Sequence, residues 1–107
     1  MAWEYYLKFD DPGWLMQNKD KVKRLLESLP SYLEQKSEKE IWLKDNKSNH
    51  SWLYDIRLLF IEPQSILLEV SSQSEAFSRD VRNLLKHLSV KTSIRLVDDD
   101  DEIVDLR

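Results

Sequence analysis

Trp52-Leu53-Tyr54-Asp55-Ile56-Arg57-Leu58-Leu59-Phe60-Ile61, then Glu62-Pro63-Gln64-Ser65, then Ile66-Leu67-Leu68-Glu69-Val70, is the stretch from which the fold is read. Trp52, Tyr54, Ile56, Leu58 and Phe60 recur every second residue, the period of a strand with one inward face. The opposite face begins polar, with Asp55 and Arg57, and turns apolar at Leu59 and Ile61. Proline and short polar residues at 62–65 reverse the chain into a second strand at Ile66–Val70, which predicts a hairpin. Ser72-Gln73-Ser74-Glu75 then matches a capping box, in which serine and glutamate satisfy free N–H groups at a helix start. Phe77, Val81, Leu84, Leu85 and Leu88 follow as one apolar stripe, so a helix returns across the hairpin.

The rest of the chain extends this unit. Upstream, Trp3, Tyr5, Leu7 and Phe9 alternate with Glu4, Tyr6 and Lys8, which predicts a first strand. Asp11-Pro12-Gly13 breaks it, and Leu15, Val22, Leu25, Leu26 and Leu29 predict one helix from near Trp14 or Asn18 to Leu29, stopped by Pro30. Residues 31–39 are polar and read as a loop or a short helical turn, and Glu40–Lys44 reads as a strand. Asn46–Ser51 carries turn chemistry. Downstream, Ser93–Val97 is a further strand, and the acidic run after it reads as the tip of a last hairpin with Ile103-Val104 returning.

Each helix has a single apolar stripe, so both cover one face of a sheet. The expectation is a single α+β domain over 1–107. It is a two-layer sandwich whose five- or six-stranded, mainly antiparallel sheet carries two helices on one face. The order is β-α-β-β-β-α-β, with a possible short last strand. Trp3, Tyr5, Phe9, Trp52, Tyr54 and Phe60 fall on inward periods and are expected in the core. Tyr6 and Trp42 fall out of phase with their apolar neighbours, which places them on the open sheet face with Leu59, Ile61 and Leu67.

Composition excludes much chemistry. Among 107 residues there is no cysteine and one glycine, Gly13. Thiolate nucleophiles, disulfides and zinc–sulfur sites are absent, and a glycine-rich phosphate loop is impossible. A G-x-S-x-G nucleophile turn is excluded for the same reason. His50 and His87 lack the spacing of a metal pair, and His87 at a helix end is explained by the helix dipole. Glu4, Glu69, Asp55 and Arg57 read as cross-strand ion pairs rather than an acid–base pair. Neither catalysis nor a cofactor is expected. The longest apolar run, Leu58–Ile61, is far below the ~20 residues that span a bilayer, and no signal peptide is visible, so a cytoplasmic protein without membrane contact is expected.

Charge is the remaining signal. Net charge is −4 at neutral pH. Residues 98–107 hold six acids and one arginine, whereas residues 1–97 hold 14 acids and 15 bases. The negative excess therefore sits in the last ten positions. Asp98, Asp99, Asp100, Asp101 and Glu102 read as a solvated face suited to a basic partner, with Trp42 and Tyr6 as aromatic anchors. A calcium loop spaces its acids at alternate positions and needs a glycine, so no metal site is expected here.

Asp80-Val81-Arg82-Asn83-Leu84-Leu85 through Ile94-Arg95-Leu96-Val97-Asp98-Asp99-Asp100-Asp101-Glu102, with the size, the α+β outline, the absent cysteine and the sparse glycine, resembles small bacterial immunity proteins of polymorphic toxin and contact-dependent growth-inhibition systems. The resemblance implies a non-catalytic cytoplasmic inhibitor of one cognate toxin domain, often a nuclease. It assigns no individual residue a role. RNA binding through an aromatic sheet face and the basic helix residues Lys19, Lys21, Lys23 and Arg24 is the competing reading. Tyr54–Ile61 lacks the glycine-bearing aromatic consensus of recognition-motif domains, and the acidic end repels phosphate, so nucleic acid is the weaker partner. A homodimer joined through the open sheet face is the third reading.

Overall fold

The computed structural model describes residues 3–44, 54–61, 65–71 and 75–104, and of 75–77 only the backbone. The expected turn at 46–51 with His50, the inward Trp52, residues 62–64 of the reversal, Ser72–Ser74 of the capping box and the Phe77 side chain lie outside this description. Strand β1 (Trp3–Phe9) leads through helices α1 (Pro12–Gln17) and α2 (Lys19–Glu27) to strands β2 (Tyr32–Gln35) and β3 (Glu40–Leu43). Strands β4 (Ile56–Ile61) and β5 (Ser65–Val70), helix α3 (Glu75–Lys91) and strand β6 (Ile94–Asp98) follow. The strands form one antiparallel six-stranded sheet in the order β2-β3-β4-β5-β1-β6. The α+β sandwich read from the sequence is the architecture found.

Alternation along the strands sorts the side chains. Leu7, Phe9, Ile41, Leu43, Ile56, Leu58, Phe60, Ile66, Leu68 and Val70 point to one face and are almost fully buried. Leu15, Val22 and Leu26 from α1 and α2, and Val81, Leu84 and Leu88 from α3, close over them in one cluster. Each such side chain contributes about 1.5–3 kcal/mol relative to exposure. The helices thus leave the other sheet face uncovered by described residues. No helix among them is long and apolar enough to cross a membrane.

Four local readings are corrected. The first helix is two: Asn18 leaves the helical path at φ −116°, and its side-chain amide donates to the Trp14 carbonyl at 2.9 Å, competing with the backbone ladder. Asp11 caps α1 by accepting from the Gly13 amide at 3.0 Å. Residues 32–35 are neither loop nor helical turn but the edge strand β2, paired to β3 with a register shift between Tyr32 and Glu34. Tyr54 is not in the core. The chain bends at Asp55, whose amide donates to Leu43 and whose carbonyl accepts from Ser71, so Asp55 is buried and Tyr54 turns to the open face. Trp3, on an inward period, remains 46% exposed at the end of the sheet.

Candidate acidic and aromatic interface on the open sheet face

Strand register builds the open face in rows. Trp42, Arg57, Glu69 and Glu4 lie side by side across β3, β4, β5 and β1. Glu40, Leu59, Leu67, Tyr6 and Val97 form the next row, and Ile61, Ser65, Lys8 and Arg95 the third. The two aromatic residues expected on this face, Tyr6 and Trp42, are both there and both half-buried. Leu59, Leu67 and Ile61 accompany them, as their period implies.

One network ties the first row to Glu40 of the second. The Trp42 indole Nε1–H donates to Glu40 Oε2 at 2.6 Å. Arg57 reaches Glu40 at 3.8 Å and Glu69 at 2.7 Å. The Tyr54 hydroxyl donates to the other oxygen of Glu69 at 3.0 Å, and its ring lies 4.9 Å from Trp42. Lys36 caps the assembly, with Nζ 4.3 Å above the Trp42 ring and 3.4 Å from Glu34. The expected cross-strand pairing of Arg57 with Glu69 is thus present, with two aromatic members that the sequence did not reveal.

Titration follows from these contacts. Burial disfavours the charged form of Glu69, but hydrogen bonds from Arg57 and Tyr54 outweigh it and hold the carboxyl below its ordinary value. Burial and then the bond to Glu69 push the Tyr54 phenol up. The bond to Glu69 raises the Arg57 guanidinium. A carboxyl lowered by folding stabilises fully above its ordinary value of 4.5 and ceases to do so as pH falls through its lowered folded value. The stability gap between the wild type and Glu69→Gln is therefore expected to be constant from about pH 6 to 9 and to shrink below 4.5. Urea unfolding at a series of pH values measures it.

The acidic run is an ordered turn. The Asp98 amide donates to the Glu102 carbonyl at 2.9 Å, and Val97 bridges Ile103, so the last hairpin forms as a single bridge. Asp98 Oδ1 accepts from the amides of Asp100 at 2.9 Å and Glu102 at 3.0 Å. Asp101 adopts the left-handed φ of 63° that the reversal requires and pairs with Lys8 at 3.0 Å. Asp98 and Asp101 therefore fix the turn, while Asp99, Asp100 and Glu102 are exposed and form no ion pair among the described residues. The five acids form one surface, in which Asp101 is exposed but paired with Lys8 and three acids are exposed without an ion pair among the described residues.

That turn borders a groove of about 420 Å³ on the open face, lined by Tyr6, Ile61 and Val97 together with Lys8 and the acids Asp98, Asp99 and Asp101. Carboxylate oxygens of Asp98, Asp99 and Asp100 lie within 4.8 Å of one another, which concentrates negative charge at the groove's end. Burial, followed by the nearby Glu4 carboxylate, raises the Tyr6 phenol, so Tyr6 stays neutral at physiological pH. His87, on the helical side, bonds the Asn83 carbonyl through Nδ1 at 2.9 Å, an arrangement confined to its own helix.

The sequence matches no protein-family profile, no curated protein and no solved structure.

Proposed function

We propose that this protein is a non-enzymatic binding module that neutralises a basic cognate toxin domain, acting in the cytoplasm as an immunity protein. The observation that carries the reading is the fixed turn holding Asp99, Asp100 and Glu102 in solvent beside an uncovered, half-apolar sheet face. Displayed charge of one sign speeds encounter with an oppositely charged partner, and half-buried aromatic residues supply affinity once the surfaces meet. The resemblance to small immunity proteins supports the same reading. Nucleic acid fits the face less well: Glu4, Glu40 and Glu69 stand among its aromatic residues and repel phosphate.

The reading predicts a toxin reading frame beside this one in the genome. Co-expression with that toxin domain is expected to restore growth, and the purified pair is expected to form an equimolar complex without toxin activity. Absence of such a frame, or growth arrest that persists with both proteins soluble, overturns it.

A further inference from the structure

We infer that the ring system around Trp42 is a seat for a basic side chain, arginine or lysine, of the protein partner. This rests on the reading that the partner is a basic protein, and it adds an anchor distinct from the acidic turn.

The chain's own Lys36 already shows what the seat accepts. Its ammonium lies 4.3 Å over the Trp42 face and is held from the side by Glu34. That contact joins a partly exposed lysine to its own hairpin, and a surface ion pair of this kind holds only weakly in water. Glu34 stands opposite Trp42 in the strand register, Glu40 holds the indole N–H, and Glu69 holds the Tyr54 hydroxyl. Three carboxylates therefore surround two rings, while Arg57 is the one guanidinium in the network. The site holds three carboxylates against the guanidinium of Arg57 and the ammonium of Lys36, and the aromatic face that Lys36 covers is the part a partner cation takes over.

Preorganisation adds to the charge argument. The Trp42 orientation is set by its bond to Glu40, and Tyr54 is set by Glu69, so little freedom is lost when a partner docks. An incoming guanidinium takes the place of Lys36, stacks on the indole and meets Glu34 at its edge. Tryptophan, tyrosine and arginine clustered on an uncovered face are also the residue types that dominate binding energy at interfaces.

A tetra-arginine peptide is a direct probe, with tetra-glutamate as control. In heteronuclear NMR titration, tetra-arginine is expected to shift the Trp42 indole N–H resonance saturably, and tetra-glutamate to leave it in place. Lys36→Ala vacates the ring and is expected to tighten peptide binding about fivefold. Lys39→Ala removes the same charge from the same hairpin without a ring contact, and is expected to do much less. Shifts confined to Asp98–Glu102, or equal gains from the two lysine variants, overturn the seat. The toxin-neutralising reading survives that result, because the acidic turn would then be the anchor. Failed growth protection with a saturable Trp42 response would instead remove the toxin reading and leave the seat.

Discussion

Replacing Asp80 with alanine is expected to destabilise the fold by about 2–3 kcal/mol. Asp80 is fully buried on α3, yet its carboxylate has two donors. The Ser31 amide reaches Oδ2 at 3.0 Å across 49 residues of sequence, and Arg79 Nε reaches Oδ1 at 3.1 Å. Alanine leaves the buried Ser31 N–H without its acceptor and opens a small void beneath the start of β2. Asparagine keeps the volume and one acceptor oxygen, so its loss is expected to be clearly smaller. Ser31→Ala is the matched control: it removes a buried hydroxyl that has no hydrogen-bond partner among the described residues, so a near-neutral effect is expected. Urea unfolding of the three variants measures the series, and amide exchange at Tyr32 reports whether β2 loosens first. Equal losses for alanine and asparagine would show that the retained volume and acceptor oxygen contribute nothing and that the charged carboxylate carries the whole effect.

The same contact explains what the sequence concealed. Residues 31–39 carry few apolar side chains, so β2 has no period that announces a strand. It forms because Asp80, 49 residues further along the chain, holds the Ser31 amide at its start, and because β3 offers an edge. Tyr54 was misplaced for a related reason. Its alternation with Ile56 and Leu58 holds only if the strand is regular, and the bend at Asp55 is set by backbone bonds to Leu43 and Ser71. Where burial alone decides, as in β4, β5 and the Val81–Leu88 stripe, pattern and structure agree. The open face was legible through Tyr6 and Trp42, whose phase conflicts with their apolar neighbours. Its polar network was not, since the cross-strand register brings Glu40, Arg57 and Glu69 together. The acidic run was legible as a surface turn from charge alone, but its division into holding and displayed acids depends on the Asp98 cap and the left-handed Asp101.

That division makes the strongest kinetic prediction. Neutralising Asp99, Asp100 and Glu102 together to Asn, Asn and Gln is expected to slow association with the cognate toxin domain about tenfold to a hundredfold at low salt. The Asp98 cap and the Asp101–Lys8 pair are untouched by these changes, so the turn is expected to keep its shape. Exposed charges act over roughly 10 Å in 0.1 M salt, long enough to orient a partner before contact but easily screened. The association rate of the wild type should therefore fall steeply with salt, and that of the triple variant only weakly. Dissociation should change much less under the proposed function, because the displayed acids are solvated and the proposed anchors, the half-buried Trp42 and Tyr6, are left intact. Stopped-flow association over a salt series, paired with dissociation by competition, separates the two effects. An unchanged association rate would leave the acidic turn as a solubility device and shift recognition entirely to the sheet face.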